Sequence, residues 1–125
     1  MKILLIATAY NSLTQRVHVE LDELGHEISV ELALNEAVVS EAVALFQPDL
    51  ILAPMLKTPI AEEVWRNYRC IIIHPGPKGD RGPSSLDWAV SLRAAIWGGH
   101  AAAGNWGDGC GANLGLSQFS YARCP

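Results

Sequence analysis

The sequence predicts an α/β fold built on a parallel sheet, and three features of the chain support this prediction. Short apolar runs alternate along its first two-thirds with segments whose apolar residues recur at helical spacing. Capping and turn residues stand between these segments. With 125 residues, of which 50% are hydrophobic, the chain is large enough to bury the core of one modest domain. Successive β–α units of this length form a parallel sheet with right-handed crossovers.

The first unit pairs a central strand with a helix. Residues 2–7 form a short apolar run of the kind found in strands that are buried on both faces. Ser12 and Gln15 have the spacing of a capping box, which predicts Ser12 as the cap of the helix that follows. Gly25 is expected to end that helix in a left-handed conformation.

The second unit is predicted to lie nearer the edge of the sheet. Every second residue from Ile28 to Leu34 is a large apolar one, and the residues between them are Ser29, Glu31 and Ala33, as in a strand nearer the edge of a sheet. Asn35 is suited to cap a helix that runs to about Phe46, and Pro48 ends it.

Two further strands complete the predicted sheet. Residues 50–53 and 70–73 are short apolar runs, and Thr58 with Pro59 predicts the cap of a short helix between them. Another helix is expected over residues 85–95. The pattern is that of a Rossmann-like half, with an incomplete sheet.

Composition and charge exclude several classes of protein. The net charge is −4 and the basic residues are scattered, so the chain carries no electrostatic footprint for nucleic acid. Its first apolar run is too short for a membrane span or a signal peptide, which predicts a cytoplasmic protein without a membrane partner. The three cysteines lack metal-ligand spacing, so we expect no metal and no disulfide framework.

A histidine marks the candidate site. His74 ends the fourth predicted strand and is followed by a Pro/Gly loop that contains Arg81-Gly82 and leads to Trp88-Ala89. Ligands of open α/β sheets bind beyond the carboxyl ends of the strands, where His74 is expected to lie. A lone histidine at a strand end is otherwise a structural residue that loop carbonyls satisfy.

These residues resemble the active-site segment of the folate-dependent formyltransferases. In detail they are similar to the formyltransferase-like amino-terminal domain of the hydrogenase maturation factors HypX and HoxX. His74 matches the family histidine, Arg81-Gly82 its Arg-Gly and Trp88-Ala89 its Trp-Ala, whereas Ile72 stands at the family asparagine. The resemblance covers residues 1–98, which we interpret as a formyltransferase-like half domain.

The resemblance implies a donor and a set of site residues. The formyl donor is 10-formyltetrahydrofolate. His74 is the expected catalytic residue, either because it donates a hydrogen bond to the formyl oxygen or because it shuttles a proton. For some of the binding residues a structural role stays open: Ser12 as a helix cap, Lys57 as a solvated loop residue, Arg81 as a partner of Asp80 or Asp87. The expected binding residues are Asn11, Ser12, Met55, Leu56, Lys57, Ile72, Pro75, Gly76 and Arg81.

The last part of the chain, residues 99–125, shows no strand or helix pattern. Residues 99–125 hold more than half of the glycines, and Asp108 and Arg123 are their only Asp, Glu, Lys or Arg residues. The chain is therefore predicted to end in an irregular, glycine-rich tail. The aspartate that formyltransferases carry after their next strand has no counterpart, since Asp108 stands in a different context.

A change of reading frame explains this tail. Read one nucleotide later from Gly99, its codons permit Val-Thr-Leu-Leu-Gln-Ala-Thr-Gly-Glu-Met-Asp-Ala-Gly-Pro-Ile-Trp-Ala-Ser-Val-Asn-Phe-Pro-Met-Arg-Asp-Ala. Formyltransferases carry a Gly-Val-Thr strand and then an Asp-x-Gly-Pro-Ile segment in this order. One base inserted within the codons for residues 97–99 produces the observed tail, so we expect residues 99–125 to be out of frame. The alternative is a tail that is encoded as such and is flexible.

Three functions follow from the resemblance. The first is formyl transfer, with coenzyme A as the acceptor that the family implies and a carbon monoxide ligand of nickel-iron hydrogenase as the end product. The second is a folate-binding module without catalysis, which Ile72 and the missing aspartate favour. The third is an inactive fragment that lacks the crotonase-like domain of the family, and we expect this chain to be inactive as it stands. A generic nucleotide-binding α/β domain is the weaker alternative.

Overall fold

The computed structural model describes residues 1–76, 87, 91, 96–103 and 113–120. Asp87 and Ser91 are helical, and the rest of the helix predicted over residues 85–95 lies outside the described residues, as do Arg81 and Asp108. The strands and helices are β1 (Lys2–Ala7), α1 (Ser12–Glu23), β2 (Glu27–Leu32), α2 (Glu36–Phe46), β3 (Leu50–Pro54), α3 (Glu62–Asn67), β4 (Cys70–His74), β5 (Ile96–Ala103) and β6 (Asn113–Ser120).

The strands form one sheet in the order β2-β1-β3-β4-β5-β6. The pairs β2–β1, β1–β3 and β3–β4 are parallel, whereas β5 and β6 run antiparallel to their neighbours. The predicted α/β fold with a parallel sheet is confirmed, and β2 lies at the edge as its alternating pattern indicated. No helix among the described residues is long and apolar enough to cross a membrane.

The core explains why β1 is apolar throughout. Ile3 to Ala7 are at most 1% exposed, because β1 lies between two strands and both of its faces are covered. On one face, side chains of α2 and α3 pack on the sheet in a continuous cluster. The cluster consists of Leu4, Ile6, Ala33, Val39, Val43, Ile51, Ala53, Leu56, Ile60, Val64, Cys70 and Ile72.

The helix ends agree with the sequence at some positions and differ at others. Asn35 caps α2 as predicted, since its side chain accepts a hydrogen bond from the Val38 N–H at 3.0 Å. Gly25 has a φ of 81°, the left-handed conformation expected after α1. The prediction that Ser12 caps α1 is wrong: Asn11, in extended conformation, is the cap, and Ser12 is the first helical residue.

Thr58 has another role than the predicted cap. Helix α3 begins at Glu62, and Ala61 precedes it without a side-chain cap. The Thr58 hydroxyl instead donates to the Ala33 carbonyl at 2.9 Å and thereby ties the chain after β3 to the chain after β2. A threonine hydroxyl takes whichever backbone partner the fold places within reach, and here that partner is distant in sequence.

The tail holds two strands where irregular chain was expected. β5 pairs with β4 from Ile71–Ala103 to His74–His100, and β6 pairs with β5. The apolar pattern of residues 96–120 did not indicate these strands, because glycine and alanine are poor strand formers. Strand pairing uses only backbone N–H and C=O groups, so the open edge of β4 accepts a segment of weak strand propensity.

Replacement of Asn35, which caps α2, and of Ser12, which does not cap α1, gives a matched test of the two assignments. We expect Asn35→Ala to lower the free energy of unfolding by about 1 kcal/mol, because the Val38 N–H loses its side-chain acceptor. Ser12→Ala is expected to change it by less than about 0.5 kcal/mol, since Ser12 is exposed and inside the helix. Urea unfolding of both variants measures the difference. A Ser12→Ala cost equal to that of Asn35→Ala would contradict the assignment of Asn11 as the cap.

Candidate functional site

The carboxyl ends of β1, β3 and β4 meet at one edge of the sheet, because these strands are parallel and adjacent. We call this region the carboxyl edge and define it by residues 8–11 after β1, 55–58 after β3 and 75–76 after β4. In open α/β sheets ligands bind outside this end of the strands. Eight of the ten predicted site residues lie in these segments, at the start of α1 or at the end of β4, namely Asn11, Ser12, Met55, Leu56, Lys57, His74, Pro75 and Gly76.

Hydrogen bonds join the segment after β3 to the segment after β1 and to the end of β4. The Lys57 N–H donates to the Thr8 hydroxyl oxygen at 2.8 Å, which joins the segment after β3 to the one after β1. The Met55 N–H donates to the Ile73 carbonyl at 3.2 Å, which joins the same segment to β4. The backbone of residues 55–58 is therefore fixed from both sides.

Asn11 and Met55 are in direct contact although they are far apart in sequence. The side-chain Nδ2 of Asn11 donates to the Met55 Sδ at 3.6 Å. Met55 has a φ of 56°, a left-handed conformation that costs an ordinary residue about 1–2 kcal/mol. Strained backbone of this kind persists where the surrounding structure holds it, and it clusters at functional sites. The contact brings two predicted binding residues together at the carboxyl edge.

His74 ends β4 and is 2% exposed. Because side chains alternate along a strand, it shares the sheet face of Cys70 and Ile72. In such surroundings a hydrogen bond to the imidazole is stronger than in water. Strand β5 approaches closely here: a Cβ added to Gly99 would lie 3.3 Å from the His74 carbonyl oxygen. The loop continues through half-buried Pro75 and buried Gly76.

The remaining predicted residues differ in their surroundings. Leu56 and Ile72 are each 4% exposed and belong to the apolar cluster between the sheet and the helices α2 and α3. Their side chains are therefore part of the core that supports the carboxyl edge. Ser12 and Lys57 are exposed. Lys57 is thus a cation at the carboxyl edge with its side chain open to solvent.

Two residues of this region were not predicted from the sequence. Thr8 supplies the acceptor for Lys57, and Thr14 is a completely buried polar residue that hydrogen-bonds to Asn11. Thr14 stands three residues after Asn11, and a helix cap accepts a hydrogen bond from the backbone N–H at that distance. This spacing could have indicated Thr14 from the sequence. No local signal points to Thr8, because its partner lies 49 residues away.

The titratable groups of the described residues limit the chemistry. Burial raises the pKa of the Cys70 thiol to about 11, so it stays protonated near neutral pH and is a poor nucleophile. Within the described part of the chain, no three His, Cys, Asp or Glu side chains are grouped so that they could hold a metal ion. Among the predicted site residues, His74, Asn11 and Met55 offer an imidazole, an amide and a thioether. Lys57 adds an exposed ammonium group.

Comparison with known proteins identifies the family. No family model matches the sequence. The hydrogenase maturation factor HoxX of Bradyrhizobium diazoefficiens is 58% identical over 98 residues, which are 78% of this chain and 17% of HoxX. The structure of HypX from Aquifex aeolicus in complex with tetrahydrofolic acid is similar with a TM-score of 0.90 and 43% identity, over 98% of this chain and 22% of HypX.

A more distant structure shows the same fold. Methionyl-tRNA formyltransferase from Clostridium thermocellum has a TM-score of 0.72 at 17% identity, over 96% of this chain and 53% of that enzyme. The chain spans about a fifth of the length of the HoxX and HypX proteins that it matches. It belongs, as a segment with the formyltransferase fold, to the family of the hydrogenase maturation factors HoxX and HypX.

Proposed function

We propose that this chain is the folate-binding part of a formyltransferase that acts in hydrogenase maturation, with 10-formyltetrahydrofolate as the formyl donor. The observation that carries the proposal is its similarity, at 43% identity, to a HypX whose structure holds tetrahydrofolic acid. The hydrogen-bonded segments of the carboxyl edge support it, because they provide a preformed site of the kind that ligands of open sheets use.

The groups at the carboxyl edge suit a folate. The ligand combines aromatic rings, amide and carbonyl oxygens, and carboxylates. Met55 offers a polarizable apolar surface for a ring, Asn11 an amide, and Lys57 an exposed cation for a carboxylate.

His74 is the proposed catalytic residue. An acceptor attacks the formyl carbon, a tetrahedral intermediate forms, and the bond from that carbon to the folate nitrogen then breaks. The imidazole donates to the formyl oxygen as it becomes negative, or it carries the acceptor's proton to the departing nitrogen. Ile72 stands at the position of the family asparagine, and its side chain cannot donate a hydrogen bond. His74 is therefore the residue we propose for hydrogen bonding to the formyl oxygen.

The acceptor we propose is the thiol of coenzyme A. The support is the resemblance to HypX and HoxX alone, in which formyl-coenzyme A would be the source of the carbon monoxide ligand. Its sulfur would form the new bond to the formyl carbon, and its proton would pass to the folate nitrogen.

For residues 99–125 we propose translation out of frame, with the consequence that folate binding is retained and transfer is not. The HoxX similarity extends over 98 residues, which equals the length of chain that precedes Gly99. An aspartate that would adjust the protonation of His74 is then missing from the site. The chain would bind the donor without completing the reaction.

Titration calorimetry with tetrahydrofolate tests the proposal. We expect saturable binding, and we expect Lys57→Gln to weaken it by up to about fivefold, because an exposed cation–carboxylate pair contributes at most about 1 kcal/mol. The matched control is Glu27→Gln, an exposed charge at the opposite end of the sheet, which should leave the affinity unchanged. Absence of binding by the folded chain would refute the proposed function, whereas equal effects of the two variants would refute only the role of Lys57.

A further inference from the structure

A buried threonine orients one of the amides at the carboxyl edge. Thr14 is 0% exposed, and its hydroxyl lies 3.1 Å from the Asn11 Oδ1 and 3.4 Å from the Ala9 carbonyl oxygen. Its backbone N–H donates to the same Asn11 Oδ1 at 3.0 Å. One oxygen of Asn11 thus faces two donors of a single residue.

This arrangement determines which way the Asn11 amide points. An amide turned by 180° would place its own N–H2 group against the Thr14 N–H and lose that hydrogen bond, and the Thr14 hydroxyl would have to change from donor to acceptor. The Oδ1 is therefore held toward Thr14, and the Nδ2 faces Met55 at 3.6 Å from the sulfur. A thioether is a weak acceptor, and the Nδ2 carries two hydrogens, so the amide keeps donor capacity for an oxygen atom.

A helix cap alone does not require this amide. Aspartate and serine cap helices as well as asparagine does, because the cap needs only a side-chain oxygen. What distinguishes asparagine is the N–H2 group, and here that group lies beside Met55, whose backbone is held in a left-handed conformation next to the end of β4.

We propose that Thr14 is a positioning residue: it holds the Asn11 amide so that Nδ2 donates a hydrogen bond to a carbonyl or carboxylate oxygen of the ligand at the carboxyl edge. The inference rests on the proposed function for the identity of that ligand, a folate. Thr14 itself touches no ligand, since its side chain is completely buried.

Binding measurements on a double-mutant cycle test the proposal, with tetrahydrofolate as the probe. Thr14→Val removes only the hydroxyl and is expected to weaken binding by about two- to tenfold, the range of one hydrogen bond. Thr14→Ser restores the hydroxyl and should recover most of the affinity. In an Asn11→Ala chain, Thr14→Val should cause no further loss, because the amide through which Thr14 acts is gone. An equal loss in both backgrounds would show a general effect on α1 and overturn the proposal, as would no loss in either.

A cap-preserving variant covers the case in which Thr14→Val fails to fold. Asn11→Asp keeps the capping oxygen, so the thermal unfolding temperature should stay near that of the parent, while the lost N–H2 group weakens binding at least as much as Asn11→Ala does. Full affinity of the Asn11→Asp chain would overturn the proposal.

An experiment without ligand separates this inference from the proposed function. In the ¹⁵N-labelled chain, ¹⁵N relaxation should show that the Asn11 side-chain amide is rigid on the ps–ns timescale, and we expect Thr14→Val to increase this motion and Thr14→Ser to leave the amide rigid. That result supports the positioning role even if tetrahydrofolate does not bind, in which case the proposed function alone fails. An Asn11 amide that is equally mobile in the parent and in Thr14→Val would overturn the positioning role whatever the ligand.

Discussion

Replacement of residues 99–125 by the segment in the restored frame is expected to raise formyl transfer by at least about a hundredfold over the present chain. The new segment begins Val-Thr-Leu-Leu-Gln and contains Met-Asp-Ala-Gly-Pro-Ile. Its aspartate stands four positions before the start of β6, and the role we propose for it is to stabilise the imidazolium of His74 during proton transfer. A group that acts in proton transfer contributes at least about a hundredfold to rate, which sets the expected gain.

The positions of β5 and β6 support this expectation. The restored frame puts Val-Thr-Leu-Leu-Gln where the present chain has Gly99 to Ala103, in the second half of β5. At positions 113–120, the span of β6, it reads Ile-Trp-Ala-Ser-Val-Asn-Phe-Pro. Both segments have higher strand propensity than the residues now present. The valine next to His74 requires β5 to move by a few tenths of an ångström, because a Cβ there lies 3.3 Å from the His74 carbonyl oxygen.

The measurement is transfer from 10-formyltetrahydrofolate to coenzyme A, followed as formyl-coenzyme A by chromatography. The control is the restored chain with the aspartate of Asp-Ala-Gly-Pro-Ile changed to asparagine, which should bind tetrahydrofolate and transfer no faster than the present chain. Transfer by the present chain at the rate of the restored chain would refute the proposal that residues 99–125 are out of frame and cost the chain its activity.

In the restored chain, His74→Gln is expected to lower the rate of transfer by about 10²–10⁴-fold. Glutamine keeps a hydrogen-bond donor near the formyl oxygen but cannot carry a proton between acceptor and leaving nitrogen. The affinity for tetrahydrofolate should change little, because that ligand has no formyl group for the imidazole to contact.

A second buried residue on β4 serves as the control for this experiment. Cys70 lies on the same strand and the same face as His74 and is 5% exposed. Cys70→Ala should lower the unfolding temperature and leave the rate at saturating substrate within a few fold. Equal losses of rate in the two variants would assign the effect of His74→Gln to packing, and an unchanged rate in His74→Gln would remove His74 from the mechanism.

Much of the fold could be predicted from the sequence because its signals are local. The run Lys2–Ala7 is apolar at every position but the first, and the structure makes it a strand with those bounds. Asn35 before an apolar helical pattern and Pro48 after it define α2 to within one residue. The alternation after Gly25 placed β2 at an edge, where one of its sides has no neighbouring strand.

One error arose where two local signals competed. Asn11 and Ser12 are both good caps, and the capping-box spacing of Ser12 with Gln15 favoured the wrong one. The structure selects Asn11 because Thr14, which is buried against the sheet, supplies two donors to its oxygen. The prediction for Thr58 fails for another reason: its hydroxyl bonds to the Ala33 carbonyl, 25 residues earlier, and no local pattern indicates that partner.

From β1 to β4, the sequence alone determined the order of the strands and helices and placed the histidine at the end of β4, since these features depend on neighbours within a few residues. Only the tertiary structure decided which loops meet. The contacts of Thr8 with Lys57 and of Asn11 with Met55 join residues 49 and 44 apart, and they exist because β1 and β3 are adjacent and parallel. The left-handed backbone of Met55 was likewise decided by the tertiary structure. Its segment is held by hydrogen bonds to β4 and to Thr8, the residue after β1.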